Sequence, residues 1–156
     1  MRKRAQAIII RDKKVLFGYG KVDSRFTHFF IGGGIEKEEN PRSAVIRELK
    51  EEANVKGSIV FQFDKELNKN EYTFLIKIGE QKCELGYDPE EIYVEEKEKN
   101  LQRLIWIPLS DKNKFTNTDI SYFKLLIEEC EKKKYFPEWL LDLKGLVEEF
   151  NFENKQ

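Results

Sequence analysis

At 156 residues the chain is long enough for one domain with a real hydrophobic core and too short for two comfortable ones, so residues 1–156 are expected to form a single domain. Hydrophobic residues at 40% and aromatics at 13% can supply that core, while a charged fraction of 37% implies the heavily solvated surface of a soluble globular protein. Twenty-eight basic residues against 29 acidic ones leave a formal net charge of -1, which excludes an overall field for nucleic acid or anionic lipid, so any polyanionic partner has to be handled locally.

The apolar run at residues 7–10, behind a basic opening, is far too short for a secretory signal or a membrane span, so a cytoplasmic location is expected. Residues 5–10 and 15–20 are two apolar runs joined by a polar spacer, which predicts an opening β-hairpin. Residues 26–31 read as a further strand, cut off by a loop at Gly32, Gly33 and Gly34, where glycine permits backbone angles closed to other residues. Asn40 and Pro41 then signal a helix start, since Asn caps well and proline suits the first helical position. That helix should run over about residues 41–53 and stop at Asn54, which tolerates the left-handed conformation.

Strands are expected at 59–63, 72–78 and 104–108, the last ended by Pro108. Two helices follow in a helical part from about residue 118: Ile120, Phe123, Leu126, Ile127 and Cys130 repeat at helical spacing, and Pro137 opens a last helix bearing Trp139, Leu140, Leu143, Val147 and Phe150. Residues 88–99 form a charge-rich patch of the kind that is usually a solvated loop. Cys83 and Cys130 lack zinc-site spacing and disulfide density, so both are expected as free thiols.

Glu48, Glu51 and Glu52 stand out because like charges three and four apart repel on a helix by a few tenths of a kcal/mol, roughly, without helping the fold. At about 100° per residue they fall within an arc of roughly 100°. Val45, Leu49 and Ala53 lie beyond them as the face available to a core, so the acidic edge can be held rigidly and left open. Oxygen ligands of this kind suit a hard cation, Mg2+ or Mn2+. The glycines complement them, since a backbone without side chains can approach a phosphate or offer a carbonyl to a metal.

Gly33, five residues, Glu39, seven residues, then Arg47-Glu48-Leu49-Lys50-Glu51-Glu52-Ala53-Asn54-Val55 resembles the Nudix box, G, five, E, seven, REUxEExGU with U aliphatic. Asn54 replaces the closing glycine, and Ile31 stands where many members carry proline. Trp106-Ile107-Pro108-Leu109 is similar to the late WxPL segment of many members. The resemblance implies an α/β sandwich, a mixed β-sheet between helices, and hydrolysis of a nucleoside diphosphate linked to another group by attack of a metal-activated water on phosphorus. It implies Glu51 and Glu52 as metal ligands, Glu48 as a ligand or general base, and Arg47 as the group that orients a glutamate. Glu39 becomes a loop-helix tether or outer ligand, and the Gly32 carbonyl a further ligand.

Other residues carry plainer readings beside functional ones. His28, the single histidine, suits a structural or substrate-edge place better than a catalytic one. Tyr72 stands at a distance past the box similar to that of a tyrosine in members acting on dinucleoside polyphosphates, but suits a plain strand start better. Glu95, Glu96 and Glu98 could add a carboxylate from a loop, and Phe26, Phe29 and Phe30 could stack a base, although core burial is the commoner fate of such aromatics. The competing function is a Nudix-fold module that binds a nucleotide or a protein without turnover. A homodimer or partner surface in the region from Thr118 onward, with Trp139, is compatible with either.

Overall fold

The computed structural model describes residues 2–86 and 101–154. Its strands are β1 (Arg4–Ile8), β2 (Ile10–Arg11), β3 (Lys14–Val22), β4 (Arg25–Phe29), β5 (Ile31–Gly34), β6 (Ser58–Gln62), β7 (Glu71–Lys77) and β8 (Leu101–Pro108), with helices α1 (Pro41–Ala53), α2 (Asn117–Lys132) and α3 (Leu140–Asn154). One sheet has the order β5-β1-β7-β6, with β1 and β7 parallel and the other pairs antiparallel. The second is antiparallel around β3, which pairs with β2 and β4 along one edge and with β8 on the other.

The expected hairpin of residues 5–10 with 15–20 is only partly present. β1 belongs to the first sheet, and the hairpin is confined to β2, which pairs Ile10 with Val15 and Arg11 with Lys14 around a two-residue turn. Asp12 and Lys13 fill that turn with φ of 51° and 59°, the left-handed geometry whose twist matches the flanking strands. The apolar run therefore changes sheets at Ile9, whose carbonyl accepts from the Leu16 amide at 3.0 Å. The run at 26–31 does the same at Phe30, dividing into β4 in one sheet and β5 in the other.

The glycine run corrects a second expectation. Gly32, Gly33 and Gly34 are not a loop but β5 itself, laddered to β1 with Gln6, Ala5 and Arg4 opposite them. None of the three takes a positive φ. Their use is the missing side chain: a Cβ on Gly32 would overlap the Ala5 carbonyl oxygen, and one on Gly33 would lie 2.5 Å from the Glu48 carboxyl carbon.

Local chemistry sets α1 as expected. The Asn40 side chain accepts from the Ser43 amide at 2.8 Å, Pro41 opens the helix, and Asn54 ends it at φ 54°, ψ 39°. Ala44, Val45, Leu49 and Ala53 are buried against Ala5, Ala7, Ile31, Phe74 and Ile76 of the first sheet. The opposite side packs Phe17, Phe30, Phe61, Phe63, Phe115 and Tyr122 with Phe123 and Leu126 of α2 and Leu143 and Leu146 of α3. α3 begins at Leu140 rather than at Pro137, whose carbonyl accepts from the Leu140 amide. Trp139 is buried with Leu140 and Leu143 in this chain's own core, so it is not available as the outward surface expected of it. Cys83 and Cys130 are free thiols, and burial raises Cys130 to about 12. No described helix is long and apolar enough to cross a membrane.

Candidate active site

The site grows from the contact between α1 and β5. Because successive residues of a strand point to opposite faces, Gly33 faces α1 while Gly32 and Gly34 face the α2 side. The Glu48 carboxylate occupies the space a side chain on Gly33 would take, and only 12% of its side-chain surface is exposed.

Arg47 organises the acidic edge. Its Nε donates to Glu39 Oε2 at 2.8 Å and its Nη2 to Glu39 Oε1 at 2.9 Å, a two-pronged pairing suited to the planar guanidinium. Nη2 also donates to the Gly34 carbonyl at 3.0 Å, and Nη1 donates to Glu48 Oε1 at 3.0 Å and Glu51 Oε2 at 3.1 Å. Glu39 in turn accepts from the Glu36 amide at 3.0 Å, which ties the loop between β5 and α1 to the helix. Three acids of the expected motif, Glu39, Glu48 and Glu51, thus meet around the Arg47 guanidinium.

The electrostatics of the carboxylates diverge. Hydrogen bonding to Arg47 holds Glu39 below the ordinary carboxylate value. Burial raises Glu51; Arg47 opposes that shift, and the neighbouring charge of Glu48 adds to it. Among the described residues no group of three His, Cys, Asp or Glu side chains is gathered closely enough to hold a metal ion. Glu48 and Glu51 both accept from one nitrogen, Nη1 of Arg47. Glu52 lies on the last turn of the same helix, where its carbonyl accepts from the Gly86 amide at 2.9 Å and the Ala53 carbonyl from Glu84 at 3.0 Å.

Tyr72 is opposite Ala5, which is itself opposite Gly33, so Tyr72 stands two strands from Gly33, half-buried against the α1-side core. His28 lies in β4, its ring 4.3 Å from Phe17 and its Nε2 2.6 Å from Asp119 Oδ2. Asp119 also accepts from the Thr116 amide, and Thr116 Oγ1 from the Asp119 amide, a reciprocal cap for α2. The Thr-x-x-Asp spacing announces that cap in the sequence, but nothing there announces its histidine partner. A second polar cluster also went unanticipated: Glu71 accepts from Tyr122, and Gln6 Nε2 donates to Thr73 Oγ1 at 3.1 Å. Glu95, Glu96 and Glu98 lie outside the described residues. A cavity of about 460 Å³ lined by Ile10, Arg11, Lys77, Tyr135 and Trp139 sits at the other end of β1 from the glycine strand.

Comparison with known proteins adds to this geometry. The chain is 33% identical over 86 residues to mouse (Mus musculus) diphosphoinositol polyphosphate phosphohydrolases 3-alpha and 3-beta, covering 51% of this chain and 52% of each of theirs. The chain therefore spans about half the length of the curated relatives it matches. The fold resembles that of an Ap4A hydrolase from C. elegans, with a TM-score of 0.59 at 21% identity over 86% of this chain and 100% of that one. It also resembles an ADP-ribose pyrophosphatase from Streptococcus suis, with a TM-score of 0.57 at 15% identity over 88% and 95%. The family model described as NUDIX domain matches residues 1–126, which takes in every element from β1 through most of α2, and the chain belongs to the Nudix family.

Proposed function

We propose that the protein is a metal-dependent pyrophosphohydrolase that cleaves a nucleoside diphosphate linked to another group. The observation that carries this reading is the Arg47 node, which fixes Glu48 against the side-chain-free Gly33 while three carboxylates, those of Glu39, Glu48 and Glu51, share one guanidinium. Such an edge is short of positive charge, and its donors are all oxygens, so the residues fit a hard divalent cation. Glu48, Glu51 and Glu52, with the Gly32 carbonyl, are the groups that would hold Mg2+ or Mn2+. When bound, the cation neutralises charge on the phosphoryl oxygens and makes the attacking water more acidic.

The chain's own part follows from its hydrogen bonds. Arg47 engages Oε1 of Glu48, so Oε2 is the atom we assign to take the proton of the attacking water. Glu39 and the Gly34 carbonyl hold Arg47, and Arg47 holds Glu48; without them the base would be free to swing. Gly33 and Gly34 are the strand residues we assign to the diphosphate, and Tyr72, on the same sheet face as Gly33, is the aromatic we assign to the substrate's far group. The names of the mouse relatives and of the two structural neighbours agree in one respect, since each includes a polyphosphate or pyrophosphate compound.

The test is a magnesium-supplemented screen of nucleoside triphosphates, nucleotide sugars, ADP-ribose and dinucleoside polyphosphates, followed by Glu52→Gln on the best substrate. We expect kcat to fall about a hundredfold or more with folding retained. Nucleotide binding by the unaltered protein without metal-dependent hydrolysis anywhere in the panel makes it a binding module instead.

A further inference from the structure

The turn of α1 that carries Glu51 and Glu52 is held from outside the helix. The last carbonyls of a helix have no partner within it, and at this end a crossing segment supplies donors. The Gly86 amide meets the Glu52 carbonyl at 2.9 Å and the Glu84 amide meets the Ala53 carbonyl at 3.0 Å. Gly86 is what allows so close an approach. A Cβ built on it would lie 1.7 Å from the Glu51 carbonyl oxygen and 2.7 Å from the carbonyl carbon. Both atoms are helix backbone, so no flexible side chain can give way.

The base of this segment is fixed from two sides. Arg11, on β2, donates through Nη1 to the Gly79 carbonyl at 2.8 Å and the Gln81 carbonyl at 2.7 Å, and its guanidinium stands 4.6 Å from the centre of the Trp106 ring on β8. The Gln81 side chain donates to the Ile78 carbonyl at 2.7 Å and the Lys56 carbonyl at 2.8 Å, and accepts from the Lys56 amide at 2.9 Å. Cys83 then packs against the core on the α1 side. Residues 79–86 are thus anchored to β2, to β8 and to the chain just beyond α1 before they reach the helix end. Arg47 restrains the acidic edge through side chains, whereas this segment restrains it through the backbone of Glu51 and Glu52.

We propose that residues 84–86 are a positioning element for the metal site. They hold the last turn of α1 so that Glu51 and Glu52 meet the cation together, and Gly86 is the residue that permits the contact. This deepens the pyrophosphohydrolase reading and rests on it for Glu51 and Glu52 as ligands. Linkage makes the proposal distinct from a contact that serves the fold alone. An element that favours cation binding is steadied by the bound cation to the same degree, whereas a purely structural contact does not respond to it.

Two measurements test it. The first is amide hydrogen exchange at Glu84 and Gly86 in the unaltered protein, with and without Mg2+, which needs no variant to fold. Exchange at both amides should slow about tenfold when Mg2+ is added. The second is calorimetric titration with Mn2+ of the unaltered protein, Gly86→Ala and Gly145→Ala, with thermal midpoints alongside. Gly145, on α3, has open space for a methyl and controls for the loss of a glycine. Gly86→Ala should bind Mn2+ about tenfold more weakly, and Gly145→Ala should bind no more weakly than the unaltered protein. In turnover, Gly86→Ala should need about tenfold more Mg2+ for half-maximal rate and recover its kcat when Mg2+ is raised. Exchange that Mg2+ leaves unchanged, equal Mn2+ affinity in Gly86→Ala, equal weakening in Gly145→Ala, or no Mn2+ binding by the unaltered protein overturns the proposal. Weakened Mn2+ binding by Gly86→Ala in a protein that hydrolyses nothing in the panel supports the positioning element and removes the enzymatic reading instead.

Discussion

The two sides of the first sheet are built to different rules. Against α1 stand Ala5 and Ala7, and the helix answers with Ala44 and Ala53, so the elements approach closely enough for Glu48 to rest on Gly33. Against α2 and α3 the filling is aromatic: Phe17 lies 5.1 Å from Phe30, Phe30 5.4 Å from Tyr122, and Phe115 5.5 Å from Phe123. Small residues fix a distance, which is what a catalytic edge needs. Large ones remove apolar area from water, which is where stability comes from. The difference teaches that the α1 face adds close approach to its buried core, while the other face relies on aromatic filling.

Substitutions can break or sharpen that division. On the aromatic side, Phe123→Ala should cost about 3–5 kcal/mol in denaturant unfolding, because a fully buried ring leaves a cavity that its neighbours cannot fill. A loss under about 1 kcal/mol would mean the ring side is not the main stabiliser. On the alanine side, Gly33→Ala should do the reverse. The new methyl meets the end of a flexible Glu48 side chain rather than backbone, so the thermal midpoint should hardly move while kcat falls about a hundredfold, roughly 2.7 kcal/mol of barrier. Unchanged turnover would show that the Glu48 position against Gly33 does not matter to the chemistry.

Smaller effects sharpen the comparison at its margins. Asn54→Val should cost on the order of 1–2 kcal/mol, since a β-branched residue is strained at φ 54°, whereas glycine there should be neutral or stabilising. Both are read from denaturation midpoints. The smallest change is expected at Asp64, whose carboxyl is held below its ordinary value by Lys132 at 2.5 Å and Lys133 at 3.2 Å. A depressed acid stabilises the fold above its unfolded value of 3.8 and loses that contribution as pH falls through the folded one. Asp64→Asn should lower the thermal midpoint slightly at neutral pH, and the two proteins should converge in acid below that range.

What the sequence disclosed follows the reach of each interaction. The cap at Asn40, the stop at Asn54 and the buried stripe of Val45, Leu49 and Ala53 depend on residues within a turn of one another, and all are as read. The spacing from Gly33 to Glu52 carried the family for the same reason. The changes of sheet at Ile9 and Phe30 were illegible because each falls inside an unbroken apolar stretch, residues 7–10 and 29–31, without the alternation that marks a face or a break. The glycines misled in another way, since freedom of φ and absence of a side chain look alike in a sequence and only the second is used here. His28 and Asp119, 91 positions apart, depend on the register of distant strands, which no local pattern encodes.

The changes of sheet at Ile9 and Phe30 also limit how the molecule can move. Each is a place where one continuous backbone leaves a sheet and enters the other within a single residue, so the two sheets are stitched together twice by covalent chain. Two connections this short leave little slack for one sheet to slide over the other, so any relative movement has to be taken up by the backbone angles of Ile9 and Phe30. The strand that carries the glycines is thereby tied through Phe30 to the other sheet, so its position is set by both sheets at once.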